Sequence, residues 1–133
     1  MNNLYFKDRY SGGTLRVGFR FGRYMADDSL YVGMDYFDEE HKEWEAYSVL
    51  TVCLSDQTLQ NRRNCAFLNT NDEVSPDQVD WLVSNGFGKR TGYIGTSGFC
   101  VYPEFRFNSE AMRPYAIDDA EWRRWCAPPS EES

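Results

Sequence analysis

His41 is the only histidine in the sequence, and it lies among carboxylates in a predicted turn. An imidazole can act as general base for a nucleophile such as Cys100, or can bind a metal together with Glu39, Glu40 and Glu43. Both interpretations are weak, because Cys100 lies in a predicted buried strand and one imidazole among flexible carboxylates has no recognisable ligand spacing. We therefore predict no catalytic residue, no metal and no cofactor.

Two glycine-containing segments have the composition of functional loops. Residues 95–99 end in Phe99, whereas a nucleophile elbow requires glycine at that position. Residues 86–92 carry Lys89 and Arg90 between glycines, as a phosphate cradle would, but their spacing matches no nucleotide-binding fingerprint and a turn explains the glycines equally well. The sequence thus predicts a protein that is not an enzyme. A hydrolase that uses two carboxylates brought together by the fold stays an open alternative.

Acidic charge is concentrated in one segment. The chain has 21 acidic and 14 basic residues and a net charge of −7. Residues 27–45 contain eight acids and one lysine, which leaves the remainder neutral. These acids are Asp27, Asp28, Asp35, Asp38, Glu39, Glu40, Glu43 and Glu45. We predict that they form a face that binds a basic partner surface. The alternatives are a solvated hairpin that keeps the protein soluble, or strands in which Arg16, Arg20 and Arg23 offset the acids.

Aromatic residues alternate with these acids. We predict that Tyr31, Tyr36, Phe37 and Trp44 act as anchors for the partner, because flat amphipathic rings beside charge are typical of protein interfaces. The alternative places them in the core, since strand periodicity turns half of such residues inward.

Apolar runs predict the strands that hold this segment. Residues 14–21 and 30–37 alternate between apolar and polar positions, with turn residues between them, and predict a hairpin. Residues 44–54 follow a polar turn and become apolar on both faces, which predicts a central strand. A short run at 65–68 predicts a further strand fragment.

A helix and a loop follow. Ser75 is a predicted N-cap, with Pro76 at the first helical position and Gln78 completing a capping-box pattern. Asn85-Gly86 supplies a left-handed stop after about ten residues. The glycines of residues 86–98 predict a loop.

The pattern in the last third of the chain predicts one strand and one helix. Residues 99–107 alternate, and Pro103 places that strand at a sheet edge or on a bulge. Residues 118–121 begin a second short helix. We predict one α+β domain over residues 1–127, with a mainly antiparallel sheet of about four to six strands and two short helices, and a flexible acidic tail at 128–133.

Composition limits the class of protein. A chain of 133 residues with 17% aromatics can fold as one domain. The acidic balance argues against direct binding of nucleic acid. No apolar run approaches the ~20 residues that cross a bilayer, and the first residues lack signal-peptide features, so we predict a cytoplasmic protein. The cysteines have no CxxC pair, which predicts reduced and mostly buried thiols; they are Cys53, Cys65, Cys100 and Cys126.

Residues 50–107 combine a strand, a short helix and four short runs. These runs are Ala66-Phe67-Leu68-Asn69-Thr70-Asn71, Asn85-Gly86-Phe87-Gly88, Thr91-Gly92 and Ser97-Gly98-Phe99-Cys100-Val101-Tyr102-Pro103. This stretch, a little under half the chain, resembles a small bacterial family known only as a domain of unknown function. The SGFCxYP run is its most specific part. The resemblance implies an accessory protein of conjugative elements or phages, and it implies no catalytic residues. Small acidic proteins of such elements are often inhibitors of host defence, such as anti-CRISPR proteins.

Together these features predict a non-enzymatic inhibitor of host defence of the anti-CRISPR type. Its acidic surface, as a DNA mimic, would bind the nucleic-acid groove of a CRISPR effector subunit and block target DNA, without itself binding nucleic acid or membrane. The alternative is a structural adaptor or accessory protein of conjugation or replication that uses the glycine-rich segment and an aromatic surface. The oligomeric state is left open.

Overall fold

The structure, a computed structural model, describes residues 1–54 and 64–127. In these residues, eight strands form two antiparallel sheets of four. The first sheet has the order β1 (Tyr5–Lys7), β2 (Thr14–Arg23), β3 (Leu30–Asp38) and β4 (Glu43–Val49). The second has the order β5-β6-β8-β7 and contains β5 (Thr51–Val52), β6 (Cys65–Leu68), β7 (Gly88–Ser97) and β8 (Cys100–Phe107). The helices are α1 (Pro76–Ser84), α2 (Ser109–Met112), a 3-10 turn (Arg113–Tyr115) and α3 (Asp119–Cys126).

The predicted α+β fold with mainly antiparallel strands is confirmed. The predicted single sheet of four to six strands with two short helices is wrong in number, because the described residues form eight strands in two sheets and three α-helices. The two sheets and the helices share one main hydrophobic core, with a smaller apolar cluster on the second sheet. The predicted tail at 128–133 lies outside the described residues.

Alternation along β2 explains how the first sheet faces the core. Val17 and Phe19 are fully buried, while Arg16 and Arg20 lie on the opposite face and are half-buried. β3 pairs with β2 in register, with Met34 opposite Phe19, so the predicted hairpin is confirmed. The same alternation decides which side chains of β3 can reach solvent.

The prediction of one central strand over residues 44–54 is wrong. β4 is an edge strand of the first sheet, and β5 is an edge strand of the second. Leu50 lies between them, fully buried, and its N–H donates to the carbonyl of Val32 while its own carbonyl accepts from the N–H of Asn69. The stretch is apolar because the chain passes through the core from one sheet to the other.

Helix α1 begins and ends where the sequence indicated. The hydroxyl of Ser75 accepts the N–H of Gln78 at 3.2 Å, and Gly86 has the left-handed φ of 77° that follows the helix. The reciprocal half of the capping box is absent, because the buried Gln78 amide contacts the sulfur of Met34 at 3.7 Å instead.

The loop predicted over residues 86–98 is wrong, because Gly88–Ser97 forms β7 and pairs with β8. Glycine at position 95 allows this pairing beside the core, since a Cβ there would lie 2.8 Å from a ring carbon of Phe67. The ladder is irregular between Arg90 and Ile94, and Ile94 is opposite Pro103, but the extra residues are on β7 rather than on the strand that contains Pro103. The predicted position of that strand at a sheet edge is wrong, because β8 lies between β6 and β7. The glycines of β7 disfavour a strand locally, so the sequence did not indicate one. Pairing with β8 stabilises β7 despite this low local propensity.

The second predicted helix is α3, and its cap also departs from the pattern. Asp118 accepts the N–H of Ala120 at 3.0 Å. Glu121 does not complete a capping box; its Oε1 accepts the N–H of Phe21 in β2 at 2.7 Å. The indole of Trp122 is buried and donates to the carbonyl of Ser109 at 2.8 Å, which fixes α3 against α2.

Candidate functional site

The acids of segment 27–45 do not form one row, because β3 separates them. Asp27 and Asp28 precede β3, Asp35 lies within it, Asp38 is its last residue, and the remaining four follow its end. A strand of nine residues extends about 30 Å at ~3.3 Å per residue. We refer to residues 38–45 as the acidic turn. It contains five carboxylates and one lysine.

Asp38 organises the acidic turn. Its Oδ1 accepts the N–H groups of Glu40 and His41 at 2.9 and 3.3 Å, and its Oδ2 lies 2.7 Å from His41 Nδ1. Lys42 takes the left-handed φ of 57° and donates its N–H to the Asp38 carbonyl at 2.7 Å. The hydrogen bond between the side chains lowers the pKa of Asp38 and raises the pKa of His41. The histidine therefore stabilises the turn that presents the neighbouring acids.

Three carboxylates of the acidic turn are exposed: Glu39, Glu40 and Glu43. Glu39 lies 3.5 Å from Lys42, but both side chains are at least 70% exposed, and such pairs are worth little in water. Within the described ranges, Glu40 and Glu43 form no ion pair. These three side chains are available to a partner.

Two other predicted acids are engaged within the first sheet. Arg20 Nε lies 3.2 Å from Asp35 Oδ2, and the Asp35 side chain is only 16% exposed. The hydroxyl of Tyr36 donates to Glu45 Oε2 at 2.6 Å, and this bond raises the pKa of Tyr36. The structure thus pairs one of the acids with a β2 arginine and ties another to an aromatic residue.

The acids at the opposite end of β3 serve a second turn. Asp27 Oδ1 accepts both the N–H and the hydroxyl of Ser29, at 2.9 and 2.6 Å. Asp28 is exposed with a φ of 60°, and its carbonyl accepts from Arg23, which also donates to the carbonyl of Trp125. These two acids lie at the far end of β3 from the acidic turn and cannot join it in one compact contact.

Arg16 packs between two of the predicted aromatic anchors. Its guanidinium carbon lies 5.0 Å from the ring centroid of Phe37 and 5.4 Å from that of Trp44. The two rings form an edge-to-face pair with centroids 5.3 Å apart. Arg16 Nε is buried and has no hydrogen-bond partner among the described residues. This stack joins β2, β3 and β4 next to the acidic turn, so both rings have a structural role.

The other two predicted anchors are also half-buried. Tyr31 lies across position 33, where a Cβ would be 2.7 Å from its hydroxyl, and its ring contacts Tyr24 with centroids 5.8 Å apart. Tyr36 packs against the main core and against Tyr47. None of the four predicted rings is among the large exposed apolar side chains.

Exposed apolar side chains cluster instead on the β7–β8 hairpin. Phe99 is fully exposed at its tip, Ile94 is 61% exposed, and Tyr93 and Val101 are about half exposed. We refer to these four residues as the apolar hairpin. Alternation in the sequence indicated β8 correctly. The alternating pattern does not indicate that the half of β8 next to the turn extends beyond the core. An aromatic residue beside Gly98 in a two-residue turn was the one available indication.

Groups suited to catalysis or metal binding are dispersed. Residues 1–54 and 64–127 contain no group of three or more His, Cys, Asp or Glu side chains that could hold a metal ion. The four cysteines are free thiols; Cys65 and Cys126 are buried, and the other two are half-buried. Glu104 is fully buried and accepts the hydroxyl of Thr91 at 2.6 Å. Among the described helices, none has the length and apolar character to cross a membrane.

The fold and these surfaces define a small α+β domain with two separate exposed features, an acidic turn and an apolar hairpin. The chain belongs to the family described as Domain of unknown function (DUF4313), whose model matches residues 18–126. The match includes the acidic segment as well as the stretch 50–107. No curated protein and no solved structure matches the chain.

Proposed function

We propose that the protein is a non-enzymatic binding protein whose acidic turn docks on a basic, nucleic-acid-binding surface of a partner protein. The observation that supports this is the exposure of Glu39, Glu40 and Glu43 at one end of a hairpin held by Arg16. The acidic turn has a net charge of −4, from five carboxylates and one lysine with the histidine neutral. Such a charge steers encounter with a basic surface and favours the correct partner.

The size of the acidic turn limits what it can imitate. A net charge of −4 replaces about four phosphates, or roughly 14 Å of one DNA strand at ~3.4 Å per phosphate. The turn can therefore occupy one phosphate-binding part of a groove, but not the length of a duplex turn. The acidic turn therefore best fits a partner that encloses a short stretch of one DNA strand.

More narrowly, we propose that the partner is a subunit of a CRISPR effector complex and that docking excludes target DNA. Its support is the mobile-element context implied by the resemblance of residues 50–107, combined with the acidic turn. Electrostatic steering accounts for rapid association, and contacts of the neighbouring strands would slow dissociation.

The test uses DNA binding by purified CRISPR effector complexes, measured by fluorescence anisotropy with increasing amounts of the protein. The variant changes Glu39, Glu40 and Glu43 to glutamine together. Asp35 and Asp38 are kept, because their substitution would disturb an ion pair and the turn itself. We expect inhibition by the native protein that weakens steeply with salt, and at least tenfold weaker inhibition by the triple variant.

A matched control removes the same charge elsewhere, with Asp72, Asp80 and Glu110 changed to their amides. All three are exposed and, within the described ranges, form no ion pair. Equal inhibition by both triple variants would show that net charge alone acts, and unchanged inhibition by the first variant would reject the acidic turn as the contact.

A structural adaptor of conjugation or replication is the second candidate, and the apolar hairpin favours it. Exposed Ile94 and Phe99 on one projecting hairpin give a surface of the kind that proteins bury against partners. This candidate predicts that relaxosome or replication proteins copurify with the native chain. It also predicts that they are lost when Ile94 and Phe99 become serine but are retained by the acidic triple variant. Partners that are retained when Ile94 and Phe99 become serine, but are lost from the acidic triple variant, support the first candidate.

A further inference from the structure

A cleft of about 450 Å³ opens on the second sheet, away from the acidic turn. It lies where the end of α1 meets the start of β7, the end of β8 and the start of α2. Two cationic side chains line it, Lys89 and Arg106, together with Asn64, Asn108 and Glu110. The cleft has room for a group of the size of a phosphate or diphosphate with part of its attached molecule.

The two cations face each other across the strands. Lys89 is the direct partner of Arg106 in the β7–β8 ladder. Side chains opposite each other in antiparallel strands have Cβ atoms about 4.5–5.5 Å apart, and like charges in such positions are destabilising. In the part of the chain that the structure describes, neither cation forms an ion pair. Their juxtaposition costs stability in the free protein, and an anion between them would remove that cost.

Backbone geometry brings the two strands close at this point. Gly88 precedes Lys89, and a Cβ at position 88 would lie 2.4 Å from the carbonyl oxygen of Arg106. Glycine is therefore required at position 88, because the neighbouring atom belongs to the backbone and cannot move aside for a side chain. The N–H groups of Gly86 and Phe87 donate to carbonyls of α1 and cannot form an anion nest. Any anion in the cleft would be held by side chains rather than by a glycine-rich cradle.

Polar neighbours add directional contacts. Asn108 Oδ1 accepts the N–H of Ala111 at 3.2 Å, which leaves the Nδ2 of Asn108 as a donor at the cleft. Glu110 also lines the cleft, so its charged side chains sum to one net positive charge. A carboxylate at the rim opposes binding of a bare anion and favours a ligand that carries a hydroxyl or amine beside its phosphate.

We propose that this cleft is a binding site for a small phosphorylated molecule, a phosphate monoester or diphosphate, held between Lys89 and Arg106. Paired cations with an amide donor recognise phosphate oxygens through charge-assisted hydrogen bonds. The site is independent of the acidic turn and lies on the other sheet. The protein therefore has a ligand-responsive feature apart from its proposed partner contact.

The test measures binding of pyrophosphate and of ADP to the full chain by calorimetry, at constant ionic strength set with sodium chloride. Lys89→Gln and Arg106→Gln should each weaken pyrophosphate binding by about tenfold or more, since each removes a charge-assisted hydrogen bond. Arg90→Gln is the matched control: Arg90 is the next residue after Lys89 and faces a different groove. It should bind as the native protein does.

Thermal unfolding supplies a second measurement. Pyrophosphate should raise the Tm of the native protein and of Arg90→Gln, and it should raise that of Lys89→Gln much less. Without ligand, Lys89→Gln should be at least as stable as the native chain, because it relieves the repulsion from Arg106. Both cleft variants are exposed surface changes, so loss of binding in a folded variant supports the site.

Comparison of the two probes identifies the ligand further. Tighter binding of ADP than of pyrophosphate indicates a nucleoside diphosphate, and equal binding indicates recognition of the phosphates alone; either result supports the site. Absence of binding to the native protein at millimolar concentration, or equal weakening by Arg90→Gln, would overturn the proposal. In the second case a cation outside the cleft would matter as much as those inside it, so the cleft would not be the anion site.

Discussion

The N–H of Phe21 donates to the Oε1 of Glu121 at 2.7 Å, a contact that joins residues 100 positions apart. Just before it, the carbonyl of Phe19 accepts the N–H of Ile117 at 3.0 Å. β2 pairs with β1 only over residues 14–16, and the segment that leads into α3 therefore covers the rest of that edge of the strand. An exposed strand edge is an aggregation hazard, and α3 removes it here.

Replacement of Glu121 by alanine should lower the free energy of unfolding by about 1–3 kcal/mol, because the N–H of Phe21 loses its acceptor in a partly buried position. Glu121→Gln should lose less, since its carbonyl oxygen can still accept. Urea denaturation measures both, with Asp80→Ala as an exposed acidic control. If all three variants lose the same free energy, the contact does not stabilise β2.

The stack of Arg16 on Phe37 and Trp44 can be tested with a double-mutant cycle. Arg16→Met keeps an unbranched apolar side chain as far as the position of Nε and removes the charged guanidinium, while Trp44→Leu removes one of the two rings. We expect a coupling energy of about 0.5–1 kcal/mol from the cation–π contact. Chemical denaturation of the native chain, the two single variants and the double variant measures it. Strict additivity would mean that the contact contributes no stability.

The pH dependence of the acidic turn follows from Asp38 and His41. Their hydrogen bond raises the pKa of His41 above its ordinary value of 6.5 and lowers that of Asp38 below 3.8. The contribution of His41 to stability is fully present below pH 6.5 and is lost as the pH rises through the raised value; that of Asp38 is lost as the pH falls through its lowered value.

Since His41 is the only histidine, its ring proton resonance gives an unambiguous NMR titration. Asp38→Asn should return the pKa of His41 towards 6.5, whereas Glu43→Gln should change it little. Deprotonation of His41 makes the acidic turn more negative, so binding to a basic partner should strengthen as the pH rises through this range. A pKa of His41 that is insensitive to Asp38→Asn would contradict the contact.

Gly95 lies where β7 approaches Leu54 and Phe67 closely, and a substitution there tests that contact. Gly95→Ala should destabilise the protein by about 1–3 kcal/mol, because the new methyl would lie 2.8 Å from both Leu54 and Phe67. Gly22→Ala is the matched control, since its Cβ would meet Tyr31 at an ordinary contact distance of 3.5 Å. Thermal unfolding compares them. Equal effects would indicate that backbone entropy rather than close approach sets the cost at position 95.

Several elements could be predicted because neighbouring residues decide them. The β2–β3 hairpin follows from alternation along each strand, and the start of α1 follows from Ser75 and Pro76, whose effects act within one helical turn. β7 could not be predicted, since its glycines disfavour a strand locally and its pairing with β8 overrides that preference. Leu50 is a similar case: its burial reflects passage between two sheets, which no local pattern describes.

Negative charge is concentrated in residues 27–45 whatever the fold, because charge is a property of composition and position along the chain. Which of those acids face solvent depends on how the strands pair. Pairing of β2 with β3 places Arg20 beside Asp35, and hydrogen bonds engage Asp38 and Glu45, whereas Glu39, Glu40 and Glu43 stay exposed. Burial and ion pairing depend on strands brought together by the fold, and sequence spacing does not specify those neighbours.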